Sequence, residues 1–250
     1  GTVLSCGPGA TRFKKGERVI VSAGQVPPGD AEGFAGRDSY SHRFTILGLQ
    51  SQGGYAQKVV VQERLVIPVS ARYSYEEWAA LPLAGLTAYH MLITRAGLRP
   101  GETMLVHAAG SGIGSYAVQI AKAYGATVYT TVGDPSKVTP ALKLGADEVI
   151  LYRKEDFCEK VKALTGQRGV DVIFEHIGPE TWPKNIACMA RGGRMVTCGA
   201  TSGPKAEVDI RYLYSKQLSI LGSYMGSFAE LVRVVEMAER GVIRPVIDRV

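Results

Sequence analysis

A short segment that begins as an apolar strand and ends in three closely spaced glycines constrains the fold of this chain more than any other feature. It reads Leu105-Val-His-Ala-Ala-Gly-Ser-Gly-Ile-Gly114, and a helix is predicted over residues 112–124. A glycine turn between a strand and a helix leaves backbone N–H groups and the positive end of the helix dipole facing open space, where a diphosphate fits. The residues predicted to hold it are Ala109, Gly110, Ser111, Gly112, Ile113 and Gly114.

The segment that follows this helix supports the interpretation. Its run Thr127-Val-Tyr-Thr-Thr-Val132 is rich in β-branched residues, as in a strand that is buried in a parallel sheet. Strand, turn, helix and strand together take about thirty residues, the size of one βαβ unit. A βαβ unit without a ligand is the alternative, and three glycines at the one turn where a phosphate would lie disfavour it.

Strands and helices are predicted to alternate from residue 101 onward. The predicted strands are 103–107, 127–132, 147–151, 170–175, 193–198 and 217–222, and the predicted helices are 112–124, 135–144, 155–165, 179–190 and 227–240. This alternation predicts an α/β fold in which helices cover both faces of a doubly wound parallel sheet. Cofactors bind at the carboxyl ends of the strands in such sheets.

The first part of the chain reads as β structure. Strands are predicted at 16–22, 53–61 and 65–68, the second of them opening with a glycine pair that suits a bend. Residues 23–52 lie between the first two strands and are rich in Gly, Pro, Asp and Ser. Loops of this length are uncommon in compact domains, so we expect this one to have a specific origin or purpose.

Composition excludes several classes of protein. The 250 residues are 46% hydrophobic and 21% charged, with a formal net charge of +6. No apolar run approaches the roughly 20 residues of a membrane span, and no signal-peptide pattern opens the chain. Basic residues are interspersed with acidic ones, which favours a solvated surface over a nucleic-acid site. The four cysteines lack metal-ligand spacing, which indicates reduced thiols and a cytoplasmic location.

Several motifs resemble landmarks of the medium-chain dehydrogenase/reductase superfamily, in the same order. They are Gly7-Pro-Gly-Ala-Thr-Arg-Phe-Lys-Lys-Gly-Glu-Arg-Val19, Gly53-Gly-Tyr-Ala-Gln57, Ala79-Ala-Leu-Pro-Leu83, Gly85-Leu-Thr-Ala-Tyr89, Leu98-Arg-Pro-Gly-Glu102 and Gly192-Gly-Arg-Met-Val196. The resemblance covers the whole chain. It implies part of a GroES-like β domain over residues 1–73 and a Rossmann NAD(P)-binding domain over residues 74–250. By the same comparison, the chain is expected to be truncated at both ends.

The resemblance also implies where zinc would bind. Residues 23–52 keep the length of a structural zinc lobe, and its four ligand positions hold Pro27, Asp30, Gly33 and Ser41. Structural zinc needs four sulfur or nitrogen ligands, so we expect a metal-free, mobile loop. The third catalytic ligand position holds Leu83, which has no lone pair. No metal site is therefore predicted, and the chain resembles the zinc-free quinone oxidoreductase branch.

Residues after the second and third strands of the sheet bear on the coenzyme. Gly133 stands where NAD-preferring relatives place an acidic residue, which leaves room for the 2′-phosphate of NADP. Lys137 follows with a charge that would neutralise this phosphate, and Tyr152 with Arg153 resembles a pair near the adenosine phosphate of quinone reductases. Asp134 opposes that preference, because its charge repels a phosphate. We expect NADP as the coenzyme, with NAD as the alternative. The other interpretation of Lys137 and Arg153 is that both are solvated surface charges.

Two further turns are predicted at the nicotinamide end of the coenzyme. Backbone groups of His176, Ile177 and Gly178, and of Cys198, Gly199 and Ala200, are expected to hold the carboxamide. Thr87 matches a position that lies near the nicotinamide in the family. His107 is interpreted as a packed residue at a strand end. No catalytic residue is identified, because relatives supply the donor to the substrate oxygen from the β domain.

The resemblance implies an NAD(P)H-dependent oxidoreductase that transfers hydride to a quinone, an enone or an alkenal without zinc. Two alternatives stay open: a zinc-type alcohol dehydrogenase whose metal ligands lie outside this chain, and a nucleotide-binding protein without turnover. The strand at 217–222 is expected at a sheet edge, which relatives pair to form a dimer, so a homodimer or tetramer is expected. The expected partner is a small-molecule substrate, with no nucleic acid and no membrane.

Overall fold

Short strands pair at two places in the first 86 residues. β1 (Val19–Val21) pairs antiparallel with β4 (Val66–Pro68), and β2 (Gly24–Gln25) pairs antiparallel with β3 (Thr45–Ile46). The first ladder buries Val19 and Val66 against Phe13 in a small apolar cluster. The expected β part of the fold is therefore built from two short ladders.

The computed structural model describes residues 1–248, which divide into two compact units. One unit joins residues 1–86 to the chain from residue 225 onward, and the other comprises residues 87–224. Helices of the first unit are α1 (Ala31–Phe34), α2 (Tyr75–Ala79) and α9 (Phe228–Glu239), and the division falls within α3 (Pro82–Tyr89). These units are defined by contacts between residues and do not test where one domain ends. The domain boundary predicted between residues 73 and 74 therefore stays a prediction.

Two helices of the first unit begin with the same sequence signature. Ser74 and Glu77 form a capping box at α2, and Ser227 and Glu230 form one at α9. In each, the serine hydroxyl accepts the N–H of the glutamate while the carboxylate accepts the N–H of the serine, which satisfies two N–H groups that lack a partner inside the helix.

A helix long and apolar enough to cross a bilayer is absent from residues 1–248.

A six-stranded parallel sheet forms the centre of the second unit. Its strands are β5 (Thr103–Val106), β6 (Thr127–Val132), β7 (Glu148–Leu151), β8 (Val170–Glu175), β9 (Met189–Thr197) and β10 (Ser219–Gly222). Their order is β10-β9-β8-β5-β6-β7, with every pair parallel. The chain forms β5 at the centre of the sheet and continues through β6 to β7 at one edge. It then returns to the centre and forms β8, β9 and β10 on the other side. The strand order reverses between β5 and β8, which opens a crevice at their carboxyl ends.

Helices connect these strands, and all but the last of them contain buried residues. They are α4 (Gly112–Ala123), α5 (Val138–Lys143), α6 (Phe157–Leu164), α7 (Trp182–Cys188) and α8 (Ile210–Lys216), with a 3-10 turn at Pro135–Lys137 and a π-helical segment at His90–Arg95. One apolar cluster lies between the sheet and α6 and α7, and it includes Leu105, Ile150, Phe157, Val161, Ile173, Ile186 and Met195. All six strands predicted from residue 101 onward are present, although β9 begins earlier, at Met189.

One prediction of secondary structure was wrong, and one helix was not predicted. Residues 53–61 were predicted as a strand, but within residues 1–248 they pair with no other strand. Their β-prone composition is not enough, since a strand also needs a partner and a face to bury, whereas Val60 is 98% exposed. The helix α8 was not predicted, and it has no fully buried residue, although Leu213 is half-buried. Its visible signal is the cap Asp209, whose carboxylate accepts the N–H of Arg211.

The lobe over residues 23–52 is organised around one carboxylate. Asp30 caps α1, its Oδ1 accepting the N–H groups of Glu32 at 3.0 Å and Gly33 at 3.3 Å. Its Oδ2 accepts the hydroxyl of Ser41 at 2.9 Å and Nε of Arg43 at 3.0 Å. Three of the four positions at which the resemblance implies zinc ligands, residues 30, 33 and 41, therefore meet through these hydrogen bonds. The predicted mobility stays untested, but the lobe has a source of order that does not depend on metal.

A second carboxylate attaches the lobe to α9. Oδ2 of Asp38 accepts the N–H of Phe228, the first residue of that helix, at 2.5 Å. Burial raises the pKa of Asp38, and this hydrogen bond opposes the rise. A carboxylate at a helix N-terminus is favoured by the unpaired N–H groups and by the helix dipole.

We predict that Asp30→Asn makes the lobe sensitive to proteolysis at neutral pH. Although burial acts in the opposite direction, hydrogen bonds from Ser41, Arg43 and two backbone N–H groups hold the pKa of Asp30 below its usual range. Their contribution to stability is therefore present above the ordinary aspartate range and is lost as the pH falls through and below it. Limited proteolysis with mass spectrometry measures the effect.

Glu32→Gln is the matched control, because its ion pair with Arg37 lies at the surface and contributes little. Cleavage in the lobe should accelerate in Asp30→Asn alone, and the difference from the parent should shrink in acid. Equal resistance of Asp30→Asn and the parent at neutral pH would contradict the role of this carboxylate.

Candidate functional site

The glycine turn between β5 and α4 has the geometry expected of a diphosphate site. Ser111 caps α4, and its hydroxyl oxygen accepts the N–H of Gly114 at 3.0 Å. Within residues 1–248, the N–H groups of Gly112 and Ile113 have no acceptor, because the first residues of a helix have no carbonyl group to pair with inside it. Two unpaired donors therefore lie at the positive end of a 12-residue helix, which favours an anion.

The turn is held in place by close backbone contacts. A Cβ atom at Gly114 would be 2.2 Å from the carbonyl oxygen of Ala108. Ala108 has a φ of 52°, in the left-handed region that costs a non-glycine residue roughly 1–2 kcal/mol. Thr131 on β6 stabilises this conformation, since its Oγ1 accepts the N–H of Ala108 at 3.0 Å and its carbonyl oxygen accepts the N–H of Ala109 at 3.2 Å. Contacts with Ala108 and Thr131 therefore fix the conformation of the turn.

Two of the residues predicted to select the coenzyme lie against glycines. A Cβ atom at Gly110 would be 2.7 Å from Cδ and 3.4 Å from Nζ of Lys137, so this side chain crosses the glycine turn. A Cβ atom at Gly133 would be 2.7 Å from the hydroxyl oxygen of Tyr152. The room that the sequence predicts beside Gly133 is thus bounded by the tyrosine ring, and the charge of Lys137 lies near the diphosphate turn.

Asp134, whose charge opposes a bound phosphate, is engaged within its own turn. Its Oδ1 accepts the N–H of Ser136 at 2.8 Å and the hydroxyl of Ser136 at 2.6 Å. These hydrogen bonds hold the pKa of Asp134 below its usual range, with smaller effects from Lys137 and Arg153. An ionised carboxylate here repels a 2′-phosphate but accepts hydrogen bonds from ribose hydroxyls, so the choice between NADP and NAD stays a prediction.

Most hydrogen-bonding groups of the turn after β8 are already engaged. The N–H groups of Ile177 and Gly178 both donate to Oε1 of Glu175, the latter at 2.8 Å. Gly178 has a φ of 103°, a conformation that favours glycine. The carbonyl oxygen of His176 accepts the hydroxyl of Thr201 and keeps a second lone pair, whereas that of Ile177 accepts both the N–H and the hydroxyl of Ser202. The carbonyl oxygen of His176 can therefore accept an N–H group of a carboxamide, while the N–H groups of Ile177 and Gly178 are already engaged.

The turn after β9 supplies the complementary donors. In the part of the chain that the structure describes, the N–H groups of Gly199 and Ala200 have no acceptor. A Cβ atom at Gly199 would be 2.8 Å from the carbonyl oxygen of His176, so the two turns lie in contact. Burial raises the pKa of the Cys198 thiol to about 11, which makes it a neutral neighbour rather than a nucleophile at neutral pH. An acceptor on one turn, the His176 carbonyl oxygen, and donors on the next match a primary carboxamide.

Three side chains beneath these turns were not predicted as site residues. They are Thr131, Glu175 and Asn185, and they form one hydrogen-bonded network with His107. Glu175 is fully buried, and its Oε2 accepts the hydroxyl of Thr181 at 2.7 Å and Nδ2 of Asn185 at 2.5 Å. The sequence carries one signal for it, a carboxylate at the end of an otherwise apolar strand. Such a residue needs several donors when it is buried.

The structure brings most of the predicted residues to the carboxyl ends of the strands. Residues 109–114, 133, 137, 152, 176–178 and 198–200 all follow β5, β6, β7, β8 or β9. Thr87 is buried in α3, and its role stays a prediction. His107 is packed at a strand end, as the sequence indicates, with its ring 2% exposed and edge-on to Phe157.

The residues at the implied zinc positions do not suit that metal. Asp30 is occupied by four hydrogen-bond donors, and Pro27, Gly33 and Ser41 carry no thiolate or imidazole. Leu83 has no donor atom. Among residues 1–248, no group of three His, Cys, Asp or Glu side chains is arranged to hold a metal ion.

Two family models match this sequence. Residues 112–240 match the model described as zinc-binding dehydrogenase, which alone covers more than half of the chain. Residues 1–71 match the alcohol dehydrogenase GroES-like domain. The chain belongs to the medium-chain dehydrogenase/reductase superfamily. The expected fold class, a Rossmann sheet with part of a GroES-like domain, is confirmed.

Known proteins of this superfamily resemble the chain over most of its length. A quinone oxidoreductase of Pseudomonas aeruginosa is 31% identical, and the match covers 98% of this chain and 70% of the relative. A crotonyl-CoA reductase of Streptomyces avermitilis is 29% identical over the whole chain, which spans 60% of that protein's length. The crystal structure of an NAD-dependent alcohol dehydrogenase is 39% identical with a TM-score of 0.95, and the match covers 98% of this chain and 72% of that one.

We predict that Gly114→Ala abolishes coenzyme binding. The added methyl group would collide with the backbone carbonyl of Ala108, which cannot move without displacing the whole turn. Gly110→Ala is the matched control, because its methyl group meets only the flexible Lys137 side chain. We expect Gly110→Ala to retain binding with reduced affinity, as measured by fluorescence titration with NADPH and NADH. Full affinity in a folded Gly114→Ala variant would contradict the assignment of this turn.

Proposed function

We propose that the protein is an NAD(P)H-dependent oxidoreductase that transfers hydride to a quinone, an enone or an alkenal without zinc. The observation that carries this proposal is the set of backbone groups at one edge of the sheet. Unpaired N–H groups of Gly112 and Ile113 suit a diphosphate, while the turns after β8 and β9 suit a carboxamide. One dinucleotide with a nicotinamide ring satisfies both ends. The chain spans about three fifths of the Streptomyces relative, so the activity of the whole protein is part of the proposal.

The coenzyme supplies the hydride when it is bound, and the chain supplies position and polarity. The helix α4 places its positive end against the diphosphate. His176 donates Nε2–H to the carbonyl oxygen of His107 at 3.1 Å, so its ring is fixed beside the carboxamide turn. Hydride transfer asks the protein mainly to hold one face of the ring toward the acceptor and to exclude competing orientations.

The class of substrate that accepts the hydride is inferred from the implied zinc positions, where the residues present do not suit that metal. A simple ketone or aldehyde needs its oxygen polarised as charge develops, and zinc is the usual Lewis acid for that task. A quinone or a conjugated enone delocalises this charge, so a single hydrogen-bond donor near the oxygen is enough. The resemblance to quinone oxidoreductases and to a crotonyl-CoA reductase supports a conjugated acceptor, as their names indicate.

A zinc-type alcohol dehydrogenase is the second candidate. The NAD-dependent alcohol dehydrogenase structure that resembles this chain, at 39% identity, favours it. It would require ligands outside this chain to compensate for Leu83. Metal content therefore separates the two candidates.

We propose NADP as the preferred coenzyme, with NAD as the alternative. Lys137 lies at the end of β6 with its ammonium group close to Gly110, so it can meet either the 2′-phosphate or the diphosphate. The proposed homodimer or tetramer is supported by β10, which is an edge strand of the sheet. A cytoplasmic location stays a proposal.

We predict that Lys137→Gln weakens NADPH binding about tenfold and leaves NADH binding nearly unchanged, because a charge-assisted contact to the 2′-phosphate is lost. Lys143→Gln is the matched control, since Lys143 is exposed in the last turn of α5. Calorimetric titration with both coenzymes gives the two dissociation constants. Equal weakening of both would assign Lys137 to the diphosphate, and tighter binding of NADH by the parent would overturn the preference for NADP.

We predict that the full-length protein oxidises NADPH with quinones, enones and alkenals and contains no stoichiometric zinc. The experiment combines a spectrophotometric assay on a small acceptor panel with elemental analysis of the purified protein. Turnover confined to alcohols and simple aldehydes, together with one zinc ion per chain, would replace the proposal by the second candidate. Tight coenzyme binding without turnover on any acceptor would indicate a nucleotide-binding protein.

A further inference from the structure

The buried network beneath the two coenzyme turns has only one consistent arrangement of protons. Nδ2 of Asn185 lies 2.5 Å from Oε2 of Glu175 and must donate, because an ionised carboxylate only accepts. Oδ1 of Asn185 therefore faces Nε2 of His107, at 2.7 Å, and accepts its proton. Nδ1 of His107 is then an acceptor, and the Thr131 hydroxyl donates to it at 3.2 Å. The same Thr131 oxygen accepts the N–H of Ala108.

The charge of Glu175 sets the direction of this whole relay. Its carboxylate is completely buried, and its two oxygens accept from Ile177, Gly178, Thr181 and Asn185. Four donors around one carboxylate are what an ionised, buried acid needs. Reversing any single bond would leave two donors or two acceptors facing each other, at a cost of about 1–3 kcal/mol for each unsatisfied group.

Burial is consistent with a neutral ring at the centre of the network. It lowers the pKa of His107, while the neighbouring carboxylate of Glu175, 3.9 Å from Nε2, acts in the opposite direction. The imidazole therefore carries one proton, and the hydrogen bonds place it on Nε2.

The network also joins the two ends of the coenzyme site. Thr131 holds Ala108 at the diphosphate turn, and Glu175 holds Ile177 and Gly178 at the carboxamide turn. His107 adds a direct link, because its carbonyl oxygen accepts Nε2–H of His176. A change of charge at Glu175 is therefore transmitted along Asn185 and the ring as far as β6.

We propose that Glu175 is a positioning residue for the nicotinamide end of the coenzyme, acting through its hold on residues 177 and 178 and through the Asn185–His107 relay. By taking the N–H groups of residues 177 and 178, it leaves the carbonyl oxygen of His176 available to accept from the carboxamide. It thereby selects the orientation of the nicotinamide ring without touching it. This inference rests on the proposed function, because it assumes that a nicotinamide coenzyme binds here.

Glu175→Gln tests the proposal while keeping the size of the side chain. The neutral amide holds the turn less tightly, so we expect NADPH to bind about tenfold more weakly. Binding of 2′-phospho-ADP-ribose, which is the coenzyme without its nicotinamide ring, should stay within about twofold of the parent value, because the diphosphate contacts persist. Glu180→Gln is the matched control, since it removes the same charge from an exposed residue of the same loop.

The histidine tautomer gives a readout that a loss of stability alone would not change. In Glu175→Gln the new amide must donate to Asn185, so the Asn185 amide turns over and presents Nδ2 to His107. The ring then has to accept at Nε2 and carry its proton on Nδ1. We expect ¹⁵N spectra of histidine-labelled protein, assigned with a His107→Gln variant, to show this exchange of protonated nitrogen in Glu175→Gln and no change in Glu180→Gln.

The possible results separate the inference from the proposed function. If the parent binds NADPH and Glu175→Gln binds it equally well, or loses 2′-phospho-ADP-ribose to the same extent, the positioning role is wrong while the proposed function stands. An unchanged tautomer in a folded Glu175→Gln variant would overturn the relay, whatever the coenzyme does. A parent that binds neither compound would overturn the proposed function, and the positioning role with it.

Discussion

The contact between the first turn of α4 and the end of β5 is the constraint on which the site depends. Gly114 lets the helix approach until any side chain there would lie 2.2 Å from the carbonyl oxygen of Ala108. That approach fixes where the helix begins, and so where the N–H groups of Gly112 and Ile113 are left unpaired. The parallel sheet then brings the turns after β6, β7, β8 and β9 to the same edge. A strand, a glycine and a helix thus produce an anion site before any side chain contributes.

The sheet could be predicted well because its signals are local. Buried parallel strands read as β-branched runs, and glycine turns and capping residues mark where helices begin. Residues 53–61 show the limit of this approach, since their strand-like composition could not reveal that no partner pairs with them. The short helix α8 shows the opposite limit, because a helix without a fully buried residue gives only a weak apolar signal.

The backbone turns of the candidate site could be predicted from the sequence, but the buried side chains that hold these turns could not. The glycines in the sequence indicate where the turns lie. By contrast, the sheet brings together three side chains that come from separate segments, Glu175, Asn185 and Thr131. The same holds for Asp30, whose four hydrogen-bond partners the spacing did not suggest. In both places a buried carboxylate gathers donors from separate segments, which links loops that carry little apolar surface of their own.

A crystal structure of the protein with NADP bound would locate the coenzyme relative to the glycine turn and the two turns after β8 and β9. We expect diphosphate oxygens to lie within hydrogen-bond distance of the N–H groups of Gly112 and Ile113, with the carboxamide between the turns at residues 176–178 and 198–200. A coenzyme whose diphosphate lies away from the N-terminus of α4, or whose nicotinamide lies outside those two turns, would contradict this expectation.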